Sequence, residues 1–158
     1  MGGHHWRGGG RRWWLGGSVL ARWLDALERR RGRGIALVEE TLNRVTHEQR
    51  VLQEGLAHWK AGHSLSDERV LANSRALIDA IETVWVSEDL MRINFGQESP
   101  VVAALNEVIA VVDDMKDALG YRSQTLSPAD WDAWESKRVE LVHAKKRYIE
   151  AVRFEARS

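Results

Sequence analysis

The chain has 158 residues, 44% of them hydrophobic and 29% charged, with 23 basic and 23 acidic side chains and no cysteine. That length supports one domain with a sizeable core. The missing cysteine excludes a disulfide framework, a thiolate zinc site and a cysteine nucleophile. The neutral total conceals an asymmetry: residues 1–33 hold eight arginines against Asp25 and Glu28, and the remainder is acidic by the same margin. A basic arm, 1–33, on an acidic helical-bundle domain, 34–158, is therefore the expected organisation.

Residues 1–12 are rich in glycine and arginine and lack enough apolar surface to offset ordering entropy, so disorder is expected there. A short amphipathic helix is expected at 19–31. Ser18 is its cap, Val19, Leu20, Trp23, Leu24 and Leu27 share its apolar side, and Gly32 follows its end. Arg31-Gly32-Arg33-Gly34 reads as a hinge. The apolar run between Trp13 and Leu24 is far shorter than the ~20 residues needed to span a bilayer.

The main helix is expected at 35–61, about 40 Å long at ~1.5 Å per residue. Ile35, Val38, Leu42, Val45, Gln49, Leu52, Leu56 and Trp59 follow a 3-4 spacing, with Gln49 the one polar position, and Gly62 closes the element. A second helix, 66–93, starts on Ser66 as cap. Its stripe is Leu71, Ser74, Ile78, Ile81 and Trp85, widened by Val70, Leu77 and Val84, and Gly96 stops it. Val84-Trp85-Val86 leaves a strand as the minor alternative.

Ser99-Pro100 opens a third helix, 100–119, with Val101, Leu105, Val108, Val112, Met115 and Leu119 on one face and Gly120 as its stop. Ser127-Pro128 repeats the device for a fourth, 128–155, with Asp130 at the capping-box position. Its inward set is Trp131, Trp134, Leu141, Val142, Tyr148, Ile149 and Val152, interrupted by Arg138 and Lys145. Short connectors make neighbours antiparallel, so the fold class is all-α, an up-down four-helix bundle with an extra short N-terminal helix.

Ile93-Asn94-Phe95-Gly96-Gln97-Glu98-Ser99-Pro100-Val101-Val102-Ala103-Ala104 is a helix end, a glycine break and a capped new helix. With the closing Tyr148-Ile149-Glu150-Ala151-Val152-Arg153, it resembles a group of uncharacterised bacterial small helical proteins. In these a membrane-proximal, arginine-flanked segment precedes a long helical hairpin. This chain lacks their spanning segment, and the resemblance supplies no catalytic residues.

Chemistry-bearing motifs are sparse. Glu140 and His143 form a Glu-x-x-His on the fourth helix, half of what a carboxylate-bridged metal site needs, and no second copy exists. Glu54 and His58, four apart, fall outside the seam; His47-Glu48 lacks a second histidine at the zincin spacing. Glu39-Glu40 and Asp113-Asp114 read as solvated faces, because adjacent helical residues point apart. No phosphate loop or nucleophile elbow is present.

The arm is the informative stretch. Trp13, Trp14 and Trp23 interleave with Arg11, Arg12 and Arg22, a mixture suited to an interfacial helix on anionic lipid, to packing or self-association, or to single-stranded nucleic acid. The expectation is a non-enzymatic interaction module without a cofactor. It associates with itself, a protein partner or an anionic membrane surface, with nucleic acid ranked behind these. A cytoplasmic chain, peripheral to the inner membrane face, is expected. The alternatives are a metal-dependent enzyme using Glu140 and His143, and nucleic-acid binding through the arm.

Overall fold

The computed structural model describes residues 3–119 and 128–157, with side chains described from residue 21 onward except 23–28, 30–31, 119 and 128–130. Four α-helices follow in order: α1 (Gly3–Lys60), α2 (Glu68–Phe95), α3 (Pro100–Leu119) and α4 (Pro128–Arg157), with no strand among the described residues. Val84-Trp85-Val86 is helical. The chain divides into two compact units, Met1–Ala36 and Leu37–Ser158.

The expected break between a 19–31 helix and a 35–61 helix is absent: α1 is helical from Gly3 through Gly32 and Gly34 to Lys60. The expected disorder of the first twelve residues is likewise replaced by helix from Gly3 onward. Glycine lowers helix propensity by up to about 1 kcal/mol per residue, yet keeps its N–H, so the backbone ladder can run through it where proline would stop it. Gly120, Ser127 and the Asp130 side chain lie outside the described residues.

The remaining ends follow local chemistry. Gly62, at φ 73°, closes α1: its N–H donates to Trp59 O and that of His63 to Trp59's neighbour His58 O, at 2.9 and 3.1 Å. This paired arrangement satisfies the last carbonyls and needs a left-handed residue. Asp67, not Ser66, caps α2, its carboxylate accepting from Arg69 N at 2.9 Å. Ser66 instead shares a hydrogen bond with Ser64. Gly96, at φ 89°, ends α2, and Ser99 Oγ accepts from Val101 N to start α3.

Within the second unit the side-chain bonds fix an up-down-up-down bundle. Val38, Gln49 and Lys60 on α1 meet Tyr148, Lys145 and Trp131 on α4, so the two run antiparallel. Val51 and Arg44 meet Asn73 and Ser87 on α2, again antiparallel. Asp114 and Glu107 on α3 meet Lys137 and Arg147 on α4 in the same sense.

The short α3 is the most enclosed element: Val101, Val102, Leu105, Val108, Val111, Val112 and Met115 are all buried. Each such side chain contributes about 1.5–3 kcal/mol on leaving water. On α4 the interior is Trp134, Leu141, Ala144 and Tyr148; Val142 and Ile149, expected inside, are exposed.

Two seams differ from expectation. On α1 the buried row is Val38, Thr41, Val45, Glu48, Leu52 and Leu56, while Ile35 is exposed and Gln49 half-buried. On α2 the row is Ala80, Val84, Ser87 and Met91, with Leu77 packed against the core, and the expected stripe of Leu71, Ile78 and Trp85 is turned outward. Small residues at 80 and 87 let α1 come close, and Asn73 and Ser87 bond to it.

Candidate functional site

In the arm, Trp13, Trp14, Arg11 and Arg12 fall within the helical part of α1, as does Trp23, but their side chains lie outside the described residues. Arg22, Arg29 and Arg33 are described and exposed. Their spacing of seven and four residues places them on one side of a helix. Arg33 Nε donates to Arg29 O at 3.3 Å, which aligns the last of the row with the turn before it.

Glu140 and His143 are both on the exposed side of α4. The Glu140 carboxylate accepts from Lys137 Nζ at 3.1 Å, and Lys137 also donates to Asp114 at 3.2 Å. Those two carboxylates raise the Lys137 pKa above its ordinary value. Among the described residues no three histidine or acidic side chains are grouped as a metal cage would require. Glu54 is exposed, and His58 turns its Nδ1 to within 3.0 Å of His63 Nδ1 at the corner after α1.

The polar chemistry inside the bundle is elsewhere. Glu48, 3% exposed, sits in the α1 seam beside Lys116 and Asp113 of α3. Burial pushes its carboxyl up to about 7; the Lys116 ammonium pulls it back and the Asp113 carboxylate pushes it further. Lys116 bonds Asp113 at 3.0 Å, so much of its charge is already engaged. Asp113, its side chain 46% exposed, is thus paired with Lys116 while still reaching solvent. Its neighbour Asp114 is exposed and serves Lys137.

Across α1 and α4, Lys145 Nζ donates to Gln49 Oε1 at 2.7 Å and to Thr46 Oγ1 at 3.2 Å. Neither acceptor is charged, and burial draws the Lys145 pKa down. Near the same level Tyr148, fully buried, directs its hydroxyl at Val38 O over 3.4 Å, and burial pushes its phenol well above the usual range. Sequence spacing singled out Gln49 but passed over Glu48. The only signal for Glu48 was its place seven residues after Thr41, along the row that is buried.

Glu48 is the one of these groups pushed to about 7, and the three are distributed along the bundle rather than gathered round one reacting position. No described helix is long and apolar enough to cross a membrane. Compared with family models, curated proteins and solved structures, the chain matches none.

Proposed function

We propose that this chain is a non-enzymatic interaction module: a helical bundle whose basic, tryptophan-rich arm engages a protein partner or the anionic inner face of a membrane, in the cytoplasm. The observation that supports it is the row of exposed arginines Arg22, Arg29 and Arg33 along one side of α1. They continue a stretch that already holds Arg7, Arg11 and Arg12 among tryptophans. Each arginine close to an anionic bilayer contributes about 1 kcal/mol, and tryptophan favours the headgroup layer.

The test is co-sedimentation of the full chain with vesicles of phosphatidylserine and phosphatidylcholine, against phosphatidylcholine alone. Binding should require the anionic lipid and weaken as salt rises. Arg22→Glu, Arg29→Glu and Arg33→Glu together should reduce it about a hundredfold or more. Equal binding to neutral vesicles, or no change in the triple variant, refutes the electrostatic contact.

A further inference from the structure

His58 and His63 meet at the corner where α1 ends, and neither belongs to the apolar core. The turn itself joins their backbones: His63 N–H donates to His58 O at 3.1 Å, and Gly62 N–H to Trp59 O at 2.9 Å. In this type of helix end, the two residues so joined ordinarily cover the turn with an apolar contact. Here two half-buried histidines make that contact, with the Nδ1 atoms 3.0 Å apart.

Two neutral imidazoles so placed share one proton, donated by one Nδ1 and accepted by the other. A divalent ion can take that proton's place once the donating ring carries its own on Nε2 instead. With zinc–nitrogen bonds of about 2.0–2.1 Å at a tetrahedral angle, two imidazole nitrogens are ~3.3 Å apart and their ring centres ~5.2 Å. The observed nitrogens are 3.0 Å apart and the ring centroids 5.2 Å, at a tilt of 41°. The rings therefore stand at the right separation, and a swing of each by about 35° turns both lone pairs to one position. Gly62, at φ 73°, holds the two residues at this spacing in advance.

No third histidine or acidic donor joins them among the described residues. Asp67, whose charge reaches His63, has both oxygens engaged by Arg69, at 3.1 and 2.9 Å, while it caps α2. The protein thus contributes two ligands, and water completes the shell.

We propose that His58 and His63 form a bidentate zinc site, bound through both Nδ1 atoms, that clasps the end of α1 to the connector leading to α2. Imidazole suits Zn2+ and its transition-metal neighbours, whereas Mg2+ and Ca2+ need oxygen donors. The site goes beyond the interaction-module reading. It uses none of the arm's arginines or tryptophans, so zinc binding and vesicle binding can fail independently.

Isothermal titration calorimetry of the full chain with zinc chloride tests it. His4 and His5, adjacent in the arm, offer imidazoles of their own, so every sample carries His4→Ala and His5→Ala. This reference chain should bind one Zn2+ in the micromolar range and no Mg2+, and zinc should raise its midpoint of thermal unfolding. His58→Ala and His63→Ala should each weaken zinc binding by about tenfold or more, because either one reduces the chelate to a single imidazole. Each should also abolish the thermal shift and leave helicity unchanged. No saturable zinc binding in the reference chain overturns the proposal, as does an affinity that survives either substitution.

Discussion

Lys145 and Gln49 join α4 to α1 through a single 2.7 Å hydrogen bond in which an ammonium relies on neutral acceptors. The lysine is half-buried, and Thr46 supplies its other bond at 3.2 Å. A cation placed this way is held by geometry rather than by an opposite charge, so its cost depends on both acceptors staying in place.

Gln49→Leu should therefore destabilise the bundle by about 1–2 kcal/mol, because it removes the shorter bond and leaves Lys145 underpaired. Adding Lys145→Met should recover most of that loss, since both polar groups are then gone from the interface. Urea denaturation of the two single variants and the double checks the coupling. Additive losses would show that the two side chains act separately.

Glu48 makes stability fall as pH rises. Its carboxyl titrates near 7 when folded and near 4.5 when exposed, so between these values the folded chain holds a proton the unfolded chain has released. Below about 4.5 both states are protonated and this penalty vanishes; above 7 it is complete, at up to about 3 kcal/mol. Glu48→Gln should raise the midpoint of thermal unfolding at pH 8 and leave it nearly unchanged at pH 4.5. A gain of equal size at both pH values would show that packing, not ionisation, is responsible.

Gly55 faces Asn73, whose Oδ1 lies 2.8 Å from where an alanine Cβ would stand. Gly55→Ala gains up to about 1 kcal/mol of helix propensity. It also displaces the amide that donates to Val51 O at 3.0 Å, a loss of about 1 kcal/mol. The single substitution should thus be close to neutral, while in an Asn73→Ala background the full gain should appear in chemical denaturation. A clear gain without the second change would mean Asn73 moves aside at no cost.

Ser99 is buried between α2 and α3 and caps the more enclosed of them, its Oγ accepting from Val101 N at 3.2 Å. Ser99→Ala should cost about 1 kcal/mol, and Ser99→Asp less, because the carboxylate can cap but must be partly desolvated. Thermal denaturation followed by circular dichroism ranks the three.

The sequence alone determined the all-α class, the placement of α3 at 100–119 and the glycine stops at Gly62 and Gly96, because these depend on residues within a turn or two of each other. Serine and proline at 99–100, and the positive-φ glycines at 62 and 96, act through backbone geometry that needs no neighbour. Only the tertiary structure decided which of the two apolar sides of α2 faces inward, and that Glu48 rather than Gln49 occupies the α1 interior. It also decided that Gly32 and Gly34 continue a helix instead of breaking it. The physical reason is shared: periodicity gives the phase of an apolar row, but where a helix has two rows, or a polar residue borders one, the choice is made by partners from other helices. On α2 the inward side meets α1 through Asn73, which donates to the Val51 carbonyl, and Ser87, which accepts from Arg44.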